Sequence, residues 1–235
     1  MRTAKSHTSA VAAGIRRPAG MGRIAKIAKI AKISLFAPIA LIALGQPGAH
    51  AEETKPVDVI ESLHESLLSV MKDAKTLGYS GRYEQLGPVL ESKFDLDFMG
   101  SKSLGRHWGA LSEEEKQKWL EAFHRFTISN YASRFDGYGG ETFKIMGSDE
   151  ASHNTVVVRT EIFSPTRDGD MTRLNYRLRE TPDGWRIIDV YLNGSVSELA
   201  LRRAEFSTAY ERKGFNEVLA SLESKISALS SGRGA

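Results

Sequence analysis

Between Val57 and Leu77 the apolar residues Ile60, Leu63, Leu67, Val70, Met71 and Ala74 recur at spacings of three and four. That spacing lays them on one face of a helix. Pro56 suits the first helical position, and Gly78 and Gly81 end the run. A second helical stretch holds Tyr83, Leu86, Val89 and Leu90, and Pro88 inside it predicts a bend. Phe94-Asp95-Leu96-Asp97-Phe98-Met99 opens a third short helix that runs toward Trp108. Ser112 followed three residues later by Glu115 is a capping box, so a long helix starts there. This helix carries Trp119, Leu120, Phe123, Phe126, Tyr131 and Phe135, and ends at Asp136-Gly137 and Gly139-Gly140.

The period then changes from helical to alternating. Residues 142–146, 154–163, 171–179 and 185–192 alternate apolar and polar, with breaks at Gly147-Ser148-Asp149, 165–169 and Pro182-Asp183-Gly184. The pattern predicts four strands joined by short turns in an antiparallel meander. Arg173, Asn175, Arg177 and Arg179 share one strand face, and Leu174, Tyr176 and Leu178 the other. After Asn193-Gly194 the helical period returns, first with Leu199, Leu201, Phe206 and Tyr210, then beyond Gly214 with Phe215, Val218, Leu219, Leu222, Ile226 and Leu229. Helices, then a meander, then helices predict an α+β fold.

The first 51 residues read differently. They contain eight Lys or Arg and no Asp or Glu. Ile-Ala-Lys occurs three times up to Lys32, a 12-residue apolar segment runs from Ile33 to Leu44, and Ala49-His50-Ala51 closes the stretch. Basic region, apolar region and small-residue site predict a secretory signal cleaved after Ala51. The competing reading is a membrane anchor. A spanning helix needs about 20 apolar residues, and this segment is shorter and contains Pro38. Residues 1–51 are therefore expected to be a signal peptide and 52–235 a single α+β domain.

Cleavage reverses the sign of the charge. It removes 8 of 32 basic residues and none of 29 acidic ones, leaving 24 against 29, a net charge of −5. A nucleic-acid partner is then not supported by bulk charge. The absence of Cys excludes disulfides, a thiol nucleophile and thiolate metal sites. The expected compartment is the periplasm.

Candidate chemistry is sparse. There is no phosphate loop, no dinucleotide glycine pattern and no Gly-x-Ser-x-Gly. His64, His107, His124 and His153 show no metal-ligand spacing and read as surface or boundary residues. Asp95 and Asp97 read as caps near a helix start. Asp189, between Ile188 and Val190, is the carboxylate with two readings. One is a general base in a pocket. The other, which cross-strand pairing favours, is an ion pair with Arg173 or Arg177. The arginine row reads as a solvated sheet face or as a docking patch for an acidic partner. Arg202 and Arg203 with Glu205 read as helix-surface salt bridges, or as neighbours of a ligand head group. The aromatic helix is either filled core or the wall of a cavity.

Three blocks in order carry a family resemblance. The first is Leu104-Gly105-Arg106-His107-Trp108 with the capped helix, Phe123 and Tyr131-Ala132. The second is 185–194, Trp-Arg-Ile-Ile-Asp-Val-Tyr-Leu-Asn-Gly, passing into Ser195-Val196-Ser197. The third is Arg203-Ala204-Glu205-Phe206, then Gly214-Phe215 and the helix with Leu219 and Leu222. Over Val57 to Leu229 the chain resembles the toluene-tolerance, or Mla-type (maintenance of lipid asymmetry), periplasmic lipid-binding proteins, auxiliary components of ABC transporters. Within them it is most similar to the branch associated with hopanoid biosynthesis. It departs from many relatives in reading Leu201-Arg202-Arg203, where they place a Tyr before the Arg.

The resemblance implies a twisted antiparallel sheet wrapped by helices around an apolar cavity. It implies a carrier that moves a phospholipid or hopanoid between inner- and outer-membrane complexes. On this reading the protein is not an enzyme and needs no cofactor or metal. Each CH₂ withdrawn from water contributes about 0.8 kcal/mol, so one long acyl chain offers on the order of 10 kcal/mol without any polar contact. The expected cavity wall takes Val156, Val158, Ile162, Leu174, Tyr176, Leu178, Val190 and Leu192 from the sheet. Phe123, Phe126, Tyr131 and Phe135 face them from the long helix. The rival readings are a cone-shaped α+β enzyme using Asp189, and an adaptor with a filled core.

Overall fold

The computed structural model describes residues 55–166 and 170–233. The expected signal peptide and its cleavage point lie outside the described residues. Helices α1 (Pro56–Lys72), α2 (Ala74–Lys93) and α3 (Leu96–Ser103) are followed by a 3-10 helix (Gly105–Ala110) and the long α4 (Glu113–Arg134). Strands β1 (Thr142–Ala151), β2 (Thr155–Ser164), β3 (Asp170–Thr181), β4 (Gly184–Leu192) and β5 (Val196–Ser197) come next. Helices α5 (Glu198–Lys213) and α6 (Phe215–Ser230) complete the order. The five strands form one antiparallel sheet in chain order. The α+β class holds. The expected four-stranded count becomes five, because two residues after the Asn193-Gly194 turn pair back onto Tyr191 and Leu192.

The sheet is amphipathic. Val158, Thr160, Tyr176, Leu178 and Ile187 are buried under the helices, while Arg159 and Arg173 are exposed. One packed and one solvated face is what an antiparallel meander permits. Two bulges adjust the register. Met146 is the extra residue in β1, so Gly147 to Asp149 continue the strand and do not break it. The turn falls later, where His153 and Asn154 adopt φ of 63° and 53°. Ile188 is the extra residue in β4, since Arg177 pairs with Asp189 and Leu178 with Ile187. A bulge lets two consecutive residues oppose one and so re-phases the side chains. Both Ile187 and Ile188 are buried as a result.

The helices depart from expectation at three points. α1 ends at Lys72 and not at Leu77, because Asp73 leaves helical geometry and the chain restarts at Ala74. Within α2 the non-helical residue is Gly78, at φ 60°, a value glycine adopts without cost; Pro88 sits inside the helix. Asp95 caps α3, accepting from the Phe98 amide at 3.1 Å, whereas Asp97 pairs with His124 at 2.9 Å. Asp95 also accepts from Arg179 Nε at 2.8 Å, and its own amide donates to the Ile187 carbonyl at 2.8 Å. This segment thereby covers the edge of β4 that β5 is too short to reach.

α4 is held at both ends. Its capping box forms as expected, with Glu115 N–H donating to Ser112 Oγ at 3.2 Å and Ser112 N–H to Glu115 Oε2 at 2.9 Å. Trp119 is fully buried; its indole N–H donates to the Gly100 carbonyl at 3.0 Å, and its ring meets Phe206 edge-on at 5.1 Å. A side chain at position 100 would come within 2.8 Å of Leu120, so glycine lets α3 cross close to α4. At the other end the buried Arg82 donates from Nε to the Ala132 carbonyl at 2.8 Å and from Nη1 to the Ala74 carbonyl at 3.1 Å. One guanidinium thus satisfies a last-turn carbonyl of α4 and ties it to α2.

His64 is not the boundary residue expected from sequence. It is buried on α1 against the rings of Phe143, at 4.5 Å, and Tyr176, at 5.6 Å, and its Nε2 has no hydrogen-bond partner. Burial pushes its pKa down to about 4. The unfolded chain takes up the proton near 6.5, the folded one only near 4. Stability is therefore fully present above pH 6.5 and falls as the pH is lowered toward 4, by roughly 3 kcal/mol for this group.

Urea unfolding at pH 7.5, 5.5 and 4.5 is expected to show that loss in the wild type and a flatter profile in His64→Phe. Truncating the anchor, Trp119→Ala, is expected to lower the unfolding free energy by about 3–5 kcal/mol in the same titration at neutral pH.

Candidate functional site

α4 turns one side toward the sheet, and the helical spacing of Phe123, Thr127, Asn130, Tyr131 and Arg134 brings them onto it. Leu174 of β3 and Val190 and Leu192 of β4 stand opposite, with Phe94 and Met99 at one end and Leu199 of α5 at the other. Between them lies an apolar recess of about 90 Å³. It shares Phe126, Phe135, Leu174 and Leu192 with a wider vestibule of about 1110 Å³. Ile162 and Thr172 from the sheet, Leu229 of α6, and Tyr138 from the segment after α4 line the outer part. The aromatic walls touch one another: Tyr131 stacks on Phe135 at 5.6 Å and meets Phe94 edge-on at 5.6 Å. Burial holds the Tyr131 phenol well above the usual tyrosine value, so it stays neutral.

The expected wall is brought together in part. Phe123, Phe126, Tyr131, Phe135, Leu174, Val190 and Leu192 line the recess, and Ile162 lines the vestibule. Val158, Tyr176 and Leu178 do not line either space; they are fully buried in solid core, and Val156 packs against that core. The reason is α1, whose His64 ring lies on Tyr176 and fills that half of the packed face. Sequence reasoning missed Phe94, Met99, Thr127, Asn130, Arg134, Glu198 and Leu199, and named Arg202 only in the second of its two readings. Asn130 and Arg134 carried a usable signal, because they are polar residues on the same helical side as Phe123 and Thr127.

The charges gather at the mouth. Arg134 and Arg202 line both recess and vestibule, and Lys225 of α6 lines the vestibule. Glu198 lies between the two arginines, 3.8 Å from Arg134 and 3.5 Å from Arg202. Arg202 also approaches Glu205 at 3.3 Å, and Glu205 holds Lys225 at 2.8 Å. The Arg202 guanidinium sits 4.9 Å from the centre of the Phe126 ring. Its apolar stem and cationic head therefore bridge the greasy wall and the polar rim.

Asp189 does not form the expected ion pair. It stands directly across from Arg177, yet its carboxylate accepts from Val190 N–H at 2.8 Å, Ser197 Oγ at 2.6 Å and Leu199 N–H at 3.1 Å. It fastens the start of α5 to β4. Arg177 turns to the β1–β2 turn, donating to Thr155 Oγ1 at 2.9 Å and the Ser152 carbonyl at 2.9 Å. Arg173 pairs with Glu161 at 3.4 Å. Asp189 lines a second groove between α3, β4 and α5 and not the aromatic recess, although Leu199 lines both. Two other histidines have partners: His107 stacks on Tyr210 at 4.5 Å and lies 3.3 Å from Glu211, and His124 pairs with Asp97. Among the described residues no group of three or more His, Asp or Glu side chains is placed to hold a metal ion.

The sequence model of the MlaC protein family matches residues 61–224. Among solved structures, the phospholipid-binding protein from Ralstonia solanacearum in complex with a phospholipid aligns with a TM-score of 0.64 and 19% identity. The alignment covers 73% of this chain and 97% of that one, and at such identity the likeness is one of fold. A family match over more than half of the chain, on a fold with this sheet-and-helix recess, decides the matter: the chain belongs to the MlaC family.

Proposed function

We propose that the protein is a periplasmic lipid carrier that takes the acyl or ring body of a phospholipid or hopanoid against the aromatic side of α4. In this reading residues 1–51 direct export, and the folded domain shuttles its cargo between inner- and outer-membrane complexes. The observation that supports the reading is the apolar recess, walled by Phe123, Phe126 and Tyr131, which shares part of its lining with a wider and more polar vestibule. The fold relative solved with a phospholipid supports a lipid cargo.

Volume sets the mechanism. A cavity of about 150 Å³ accommodates one benzene, and the recess here is about 90 Å³. A lipid tail therefore enters only by moving side chains. Phe126 and Phe135 stand at the junction with the vestibule, where a ring rotation widens the passage. The energy for this is the transfer of the tail out of water, on the order of 10 kcal/mol for a long acyl chain. No nucleophile or general base takes part, and the Asp189 carboxylate serves the β4–α5 corner.

Organic extraction of the purified protein followed by mass spectrometry is expected to release lipid at about one molecule per chain, and the spectrum assigns it as phospholipid or hopanoid. Leu174→Trp, which puts an indole at the junction, is expected to lower lipid content several-fold while the protein stays folded. A wild type free of lipid, and unable to take any from vesicles, would end the carrier reading.

A further inference from the structure

We propose that the second groove, between α3, β4 and α5, is a docking site for an extended acidic segment of a partner protein, its carboxylates alternating with apolar side chains. The proposal does not rest on the carrier reading. Residues 52–235 carry 24 Lys and Arg against 29 Asp and Glu, so the domain as a whole repels such a segment. The groove has the opposite sign. Lys102, Arg106, Arg177 and Arg203 line it against Asp189 and Glu211, four cations to two carboxylates.

Both carboxylates are already engaged. Asp189 accepts from Val190 N–H, Ser197 Oγ and Leu199 N–H, and Glu211 pairs with Arg106 and His107. The other cations are not matched. Among the described residues Lys102 and Arg203 have no carboxylate partner, and both are exposed. Arg177 is fixed by neutral oxygens alone, with Nε on Thr155 and Nη2 on Ser152, which leaves Nη1 without a partner. A guanidinium held this way keeps its full charge, and its free N–H pair is already in place for a carboxylate. The neighbouring carboxylates are taken elsewhere: Asp95 holds Arg179, and Glu198 and Glu205 hold Arg134, Arg202 and Lys225.

The shape suits a strand-like segment. From Leu199 to Glu211 the groove follows α5 for twelve positions, about 18 Å at 1.5 Å each. That length takes five or six extended residues at about 3.3 Å each, and their side chains point alternately to opposite sides. The floor between the cations is apolar, built from Phe98, Ile188, Leu199, Ala200 and Ala204. One side of the segment rests on that floor while the other turns its carboxylates to the walls. Charge and floor meet at Phe98, whose ring centre lies 5.3 Å from the Lys102 ammonium. Arg203 lies against Gly105, where a side chain would come within 2.8 Å of its Nε, and so stands next to the short helix that carries Arg106. A membrane surface reaches protruding cations, whereas these surround a recessed floor. No residue of the groove lines the vestibule, so a docked segment leaves that opening clear.

The test is fluorescence anisotropy of the full protein with a short fluorescein-labelled peptide of alternating Glu and Leu, and with its counterpart that has Gln for Glu. The acidic peptide is expected to bind about tenfold more tightly at low salt, a preference that high salt removes. Lys102→Glu/Arg203→Glu is expected to weaken the acidic peptide by about tenfold or more, with an unchanged melting temperature, because both side chains are exposed and unpaired. Arg212→Glu/Lys213→Glu makes the same charge change on α5 outside the groove and is expected to alter the dissociation constant by less than about twofold. Equal affinity for the two peptides, binding of neither, or an equal loss in both charge-reversed variants overturns the proposal. Sedimentation with phosphatidylglycerol vesicles that is lost in Lys102→Glu/Arg203→Glu, without peptide binding, would assign the groove to a lipid surface and overturn it as well.

Discussion

The hydrogen bond from the Trp119 indole to the Gly100 carbonyl sets the rotation of α4, and the recess depends on that rotation. A helix turns about 100° per residue, so a slip of one position would carry Phe123 and Phe126 away from the sheet. Phe206 meets the same indole edge-on, which locks α5 to the same reference point. Some 20 Å along the helix, by its 1.5 Å rise, Arg82 grips the Ala132 carbonyl. Phe123, Phe126 and Tyr131, which wall the recess, lie between these two anchors. Neither anchor lines the space, and both decide whether it exists.

The packed face of the sheet is divided in two. Under α1 it is solid, with Val158, Tyr176 and Leu178 wholly buried beside the unpartnered, neutral His64. Toward Leu174, Val190 and Leu192 it faces α4 across the recess. The solid half supplies the burial that a domain without disulfides needs, and the other half holds the recess. The bulge at Ile188 marks the change, because it re-phases β4 so that Val190 and Leu192 point inward while Asp189 points to the opposite side. The same extra residue that opens the recess delivers the carboxylate that pins α5 beside it.

The local signals were readable from the chain. The Ser112–Glu115 box, the aromatic spacing of α4 and the change of period after Gly140 each state a backbone preference within a few residues. Seven of the twelve expected wall residues line the recess, an eighth lines the vestibule, and four do not. What stayed hidden depends on long-range placement. Nothing around His64 says that α1 will press it onto Tyr176. Alternation in 185–192 reads as a regular strand until the pairing with β3 exposes the bulge. Asp189 faces Arg177 in register, yet local amide donors claim it first. The rim charges come from three helices up to 91 positions apart, a juxtaposition that no spacing rule anticipates.

The small recess bears on the stability of the domain. A void left behind costs about 24 cal/mol per Å³, so a permanently open hollow of ~500 Å³ would cost ~12 kcal/mol, as much as the whole stability of an ordinary domain. With only about 90 Å³ unfilled in the recess, the chain escapes that penalty. The aromatic rings fill most of the space between α4 and the sheet, so the fold holds together on its own side chains.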